Sequence, residues 1–235
     1  TAAIELRNLL QAKPDDGRGR LLLAEVSYQL GDFAEAASQY ERAIGFGETD
    51  RSTWVAFGRA LLSQGRATEA LDRVVPNLDP ARTDASQEVF IGDVLYFLGN
   101  FDEAVEHYER AISLDSENAL GVIGQAMVFA ARGDDEAAEQ LLDKAQSIDP
   151  GLSSVWQARG TLHISKREFA AAAEAFARSL ELETPRTPLA ESFGTRVNLV
   201  SSLIDARNIE AAAQSLEQLR ERFPDHPVTT FLSGR

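Results

Sequence analysis

The side chains best suited to chemistry in this sequence are three histidines and two pairs of adjacent aspartates. His107, His163 and His226 offer imidazole for metal binding or proton transfer. A helical metal site needs a His, Cys or carboxylate three or four residues away, with a matching second half elsewhere. None of the three histidines has such a residue at i+3 or i+4 with a matching second half. His163 falls at a position that predicts a packed, hydrogen-bonded side chain, His107 falls on a helix, and His226 falls in a loop. Asp15-Asp16 and Asp134-Asp135 are the adjacent carboxylates, but each pair stands at a turn, where aspartate caps the next helix. "GRGR" at 17–20 lacks the preceding strand of a nucleotide loop, and no nucleophile elbow is present. Cysteine is absent, which removes thiol chemistry and disulfides and leaves the compartment open. These residues point away from an enzyme, and no cofactor and no metal are expected.

The elements that carry them follow a fixed beat. Alanine recurs at Ala2, Ala36, Ala70, Ala104, Ala138 and Ala172, every 34 residues, and returns after a six-residue slip at Ala212. Gly31, Gly65, Gly99 and Gly133 each stand five residues before one of those alanines. A period of this length is the mark of stacked helical hairpins that pass one core from unit to unit. Complete units run 17–50, 51–84, 85–118, 119–152, 153–186 and 193–226. Residues 1–16 read as the second helix of a preceding unit, 187–192 as an insertion, and 227–235 as the start of a further unit. The chain thus reads as a piece cut from a longer array.

Within a unit, position 8 is small (Ala24, Gly58, Gly92, Ala126, Gly160), as is the alanine at position 20, so helices A and B approach closely. Glycine at position 15 supplies the positive φ that ends helix A. Position 24 holds a large apolar or aromatic residue: Tyr40, Val74, Tyr108, Leu142, Phe176 and Leu216. Pro14, Pro150 and Pro224 close helix B. Three departures stand out. Pro76 falls inside a helix B, which is predicted to stop early. In the insertion, Thr187 reads as an N-cap with Pro188 at the first helical position, lengthening the next helix A. Val200 takes a small position, which predicts a splayed last hairpin.

This pattern resembles the tetratricopeptide repeat, over the whole chain. The resemblance implies an all-α fold, a right-handed superhelical solenoid of about six complete hairpins with partial repeats at both ends. It also implies that positions 2, 5, 6, 9, 12 and 13 of helix A face a concave groove. Carried onto this chain, those positions give Leu21, Leu22, Glu25 and Tyr28, followed by Val55, Arg59 and Leu62. Val89, Phe90, Asp93, Tyr96 and Phe97 come next, then Ile123, Met127 and Ala130. The last two units contribute Gln157, Thr161 and Ile164, and Val197, Asn198, Ser201 and Ile204. Co-chaperone members of the family clamp a terminal carboxylate with lysine at position 5 and asparagine at position 9. Lysine is missing from the whole set here, so such a clamp is not expected. The apolar centre around Phe90, Tyr96, Phe97, Ile123 and Met127 suits an extended peptide or an amphipathic helix, although positions 6 and 12 also border the core.

With 23 Lys+Arg against 37 Asp+Glu, the net charge is -14. That balance argues against nucleic acid and anionic membrane surfaces. No run reaches the roughly 18–20 apolar residues of a membrane span. The segments 2–32, 58–66 and 216–235 are similar to repeat lipoproteins of bacterial exosortase (PEP-CTERM) sorting and exopolysaccharide systems. That resemblance implies a periplasmic or outer-membrane-tethered scaffold; without it, a cytoplasmic one. The expected partner is a protein or peptide. Self-association through repeat ends, or service as the recruiting arm of a larger enzyme, are the alternatives.

Overall fold

The computed structural model describes residues 2–79, 83–184, 187 and 189–223. Pro188, Pro224, His226 and the segment 227–235, on which expectations were placed, lie outside the described residues. Among the described residues the regular structure is all α-helix, apart from one short 3-10 turn. In order it forms α1 (Ala2–Ala12), α2 (Gly17–Gln29), α3 (Phe33–Gly45), α4 (Arg51–Leu62) and α5 (Ala67–Arg73). After the 3-10 turn (Val75–Asn77) come α6 (Ala85–Phe97), α7 (Phe101–Leu114), α8 (Ala119–Ala131) and α9 (Asp135–Ile148). Then follow α10 (Ser153–Ser165), α11 (Phe169–Glu181), α12 (Leu189–Asp205) and α13 (Ile209–Arg222). Two compact units result, Thr1–Val128 and Phe129–Arg235.

Each hairpin turn is made the same way. Gly31, Gly65, Gly99 and Gly133 have φ between 72° and 81°. The next residue's N–H then reaches back to close the helix, as in Asp32 N to Ser27 O at 2.9 Å and Asn100 N to Leu95 O at 2.9 Å. The last two hairpins keep the geometry without the glycine: Arg167 and Arg207 sit at φ 61° and 60°. Helix starts are capped by short polar side chains. Asp16 accepts from Gly19 N at 2.9 Å, Asp134 from Ala137 N at 3.1 Å, and Asn208 from Ala211 N at 3.3 Å. Asp16 and Asp134 thereby take the capping role expected of the aspartate pairs.

In the first unit, α2 packs on α3, α3 on α4, and α6 on both α7 and α4. Bare glycine backbone makes room for rings. A Cβ on Gly58 would lie 2.1 Å from Phe90, and Cβ atoms on Gly92 and Gly124 would lie 2.6 and 2.3 Å from Tyr108. Tyr108 therefore wedges between two glycine faces. In the second unit, Phe176 rests on Gly160 in the same manner, with a would-be contact of 2.6 Å. Ala36, Ala70, Ala104, Ala138 and Ala172 are fully buried, and Ala212 is nearly so. Val200 is also fully buried against Leu219, while Leu216 at the large position is only partly buried.

Helix α5 stops after seven residues, against thirteen or fourteen in α3 and α7. Pro76 has no N–H to continue the ladder, and the Asn77 amide side chain instead donates to the Arg73 carbonyl at 2.8 Å. At the insertion, the Thr187 hydroxyl accepts from Thr184 N at 3.0 Å. The following α12 is 17 residues long, longer than the other described helices.

Candidate functional site

A cleft of about 750 Å³ opens in the first unit. Its walls are Tyr28 of α2, Tyr40 of α3, the loop residues Thr49 and Asp50, and Arg51, Ser52, Val55, Ala56 and Arg59 of α4. The far side is Asn77 and Asp79 beyond α5, with Asp84 and Ser86 where α6 begins. The proline-broken helix matters here. The 3-10 turn that replaces its last turns supplies part of the wall, which a regular helix B would not do in the same place.

The polar groups of the cleft are unequally engaged. Arg51 pairs with Asp84 at 2.5 Å, and Asp84 also caps α6 through Gln87 N at 2.9 Å. Arg59, half-buried, has only a long hydrogen bond to the Ser86 hydroxyl, 3.5 Å, and no ion pair among the described residues. Its charge acts on the Asp93 carboxyl of α6. That carboxyl accepts from the Tyr108 hydroxyl at 2.9 Å, yet burial raises it to about 6 against the pull of Tyr108 and Arg59. Tyr40 is the counterpart of Tyr108 one repeat-pair earlier. It is 3 % exposed, but its partner position holds Glu25, which is turned to solvent, and no hydrogen bond forms between them. Burial foremost, then Glu25 and Tyr28, push the Tyr40 hydroxyl up, so it remains a proton donor.

Of the side chains predicted to face a groove, Tyr28, Val55 and Arg59 meet in this cleft. Leu22 and Phe97 are exposed, at 46 % and 62 %, as is Glu25. Leu21, Leu62, Asp93, Tyr96, Met127 and Ala130 are partly buried. The apolar centre is corrected: Phe90 is 0 % exposed, Val89 4 % and Ile123 9 %, and the Phe90 ring lies directly on Gly58 of α4. They are core, and no apolar stripe runs through Phe90. In the second unit, Thr161 and Asn198 are exposed and Ile164 marginally so, while Gln157, Val197, Ser201 and Ile204 are partly buried. A smaller hollow of about 420 Å³ in that unit is bordered by Ala170, Ala173 and Ala177 of α11, Leu199 and Leu203 of α12, and Ala211 of α13. None of the predicted residues lines it.

Sequence reasoning missed Tyr40, Arg51, Asn77 and Asp79 as cleft residues. Tyr40 was read as core by its position, and the signal for the others was Pro76, read only as a helix stop. The two described histidines, His107 and His163, are each occupied by a carboxylate. His107 meets the buried Glu88 at 2.7 Å, and Thr83 donates to the other Glu88 oxygen at 2.7 Å. His163, half-buried, meets Glu168 at 2.7 Å, which holds the Glu168 carboxyl below its usual range. Arg20 of the "GRGR" junction is buried and donates to Pro14 O at 2.9 Å and to Gln39 Oε1 at 2.9 Å. Among the described residues no three His, Asp or Glu side chains gather as a metal site, and no helix is long and apolar enough to cross a membrane.

Residues 1–51 and 91–153 match the family model described as Tetratricopeptide repeat. A stretch of 108 residues is 29 % identical to the Protein STIP1 homolog of Dictyostelium discoideum, covering 43 % of this chain and 19 % of that protein. The chain thus spans about a fifth of the length of that curated relative. Among solved structures, it is similar to a tetratricopeptide repeat protein from Parabacteroides merdae, with a TM-score of 0.68, 14 % identity, and 98 % of this chain and 89 % of that one covered. It is also similar to TTC0263, a thermophilic TPR protein of Thermus thermophilus, with a TM-score of 0.64, 19 % identity, and 80 % and 99 % covered. Helical hairpins in a 34-residue register, the family-model match over residues 1–51 and 91–153 and the shared fold make this chain similar to tetratricopeptide-repeat proteins.

Proposed function

We infer that this chain is a non-catalytic scaffold that docks a segment of a partner protein in the cleft of the first unit. The cleft itself is the observation that carries this reading: it joins exposed and half-buried polar side chains from three helices to one irregular wall. A photoreactive residue at Ser52, on the cleft wall, is expected to crosslink a partner, whereas one at the exposed Glu103 of α7 is not. Ala56→Trp, which fills the cleft, is expected to remove the Ser52 crosslink while the circular dichroism stays helical. Equal crosslinking from both positions refutes the reading.

The setting we infer is a bacterial envelope or exopolysaccharide assembly, supported by the resemblance of segments 2–32, 58–66 and 216–235 to exosortase-system repeat lipoproteins. Immunoblots of fractionated source cells test it; recovery in the cytosolic fraction alone rejects it. A second reading, self-association, is favoured by the outer face of α1, where Ile4 and Leu9 are 61 % and 42 % exposed. Light scattering that gives a monomer mass at every concentration eliminates that reading.

A further inference from the structure

Building on the cleft as docking site, we propose that it anchors its partner segment through an acidic side chain, a carboxylate held by the Arg59 guanidinium and the Tyr40 hydroxyl. Two groups in the wall have bonding capacity left over. Arg59 carries five N–H donors, and its only direct side-chain partner among the described residues is Ser86 at 3.5 Å. Tyr40 is almost wholly buried, borders the cleft, and has no hydrogen-bond partner among the described residues. Its counterpart Tyr108 spends the same hydroxyl on Asp93 at 2.9 Å. The Tyr40 hydroxyl is open to the cleft and unpaired within the fold, so an incoming acceptor meets a donor already presented to it.

The charge around the pair selects the kind of anion. Asp50, Asp79 and Asp84 border the same cleft, and Asp93 lies beside Arg59. A dianionic phosphate would meet these carboxylates at close range, whereas a single carboxylate carries half the charge and fits the planar guanidinium in two parallel bonds. Val55, Ala56 and the Tyr28 ring supply apolar wall for the stem of a glutamate or aspartate. Arg51 is already committed to Asp84 and is not needed as the anchor.

The test is selection of displayed random peptides on the immobilised chain, followed by fluorescence anisotropy with the selected peptides made as amidated synthetic versions. Enriched peptides are expected to share an Asp or Glu. Replacing that residue by its amide, or Arg59→Gln in the protein, is expected to weaken binding about tenfold, and the two changes together no further. Tyr40→Phe, which removes only a hydroxyl, is expected to weaken it several-fold. Circular dichroism of each variant guards against unfolding. Enriched peptides that Ala56→Trp blocks but that carry no acid overturn the carboxylate anchor and leave the docking site standing. Phosphoserine binding more tightly than glutamate at the anchor overturns it too. Peptides that Ala56→Trp does not block, or no enrichment at all, count against anchor and docking site together.

Discussion

The Asp93 carboxyl is held between a tyrosine hydroxyl and an arginine, yet burial dominates and raises it to about 6. A carboxylate whose folded-state value exceeds its unfolded one binds its proton more tightly in the fold. The stability this contributes is present below about pH 4 and lost as the pH rises through about 6. Asp93→Asn keeps an acceptor for Tyr108 and removes the buried charge. Its melting temperature is expected to exceed the parent's at about pH 7.5, by on the order of 1–2 kcal/mol of stability, with the advantage fading toward about pH 4. A gain of the same size at both pH values sinks that account. Backbone geometry offers a second residue-scale expectation. Arg207 holds a left-handed conformation where four other repeats place glycine. Arg207→Gly is expected to stabilise by roughly 0.5–1 kcal/mol, measured by urea unfolding, because the Cβ clash disappears.

Helices set which side chains are free to act. Phe90 and Phe97 lie two turns apart on α6 and read alike in sequence, but Phe90 is enclosed on Gly58 while Phe97 is 62 % exposed. Phe90→Ala is expected to cost about 3–5 kcal/mol and Phe97→Glu within about 0.5 kcal/mol, both by chemical denaturation. Comparable losses from both contradict this assignment of core and surface. The other element-scale feature is the broken helix B. Restoring an N–H at Pro76→Ala, together with Asn77→Ala, is expected to let α5 run on by about a turn. Amide exchange at residues 74–77 should slow, and peptide capture in the cleft should fall as Asn77 leaves the wall. Unchanged exchange there means that something other than the proline ends the helix.

At the scale of the whole molecule, 37 acidic residues against 23 basic ones leave a net charge of -14. The ion pairs seen are mostly exposed, such as Arg178–Glu181 and Arg110–Glu106, and contribute little each. Screening the surplus is therefore expected to outweigh weakening the pairs, and the melting temperature should rise by a few degrees between about 20 mM and about 0.5 M NaCl. A fall with salt shows instead that the pairs dominate. The fold class, the hairpin register and the early stop at Pro76 were legible in the sequence, because small residues, positive-φ glycines and a missing N–H act locally and recur every 34 residues. Which helix A residues are free was not legible. Burial at Phe90 depends on how closely Gly58 on another helix lets its ring approach, and no periodicity within one helix records that distance. The same holds for the cleft: Pro76 announces a break in one helix, but only the packing of α2, α3, α4 and α6 around that break leaves Tyr40 without an acceptor and Arg59 without an ion pair.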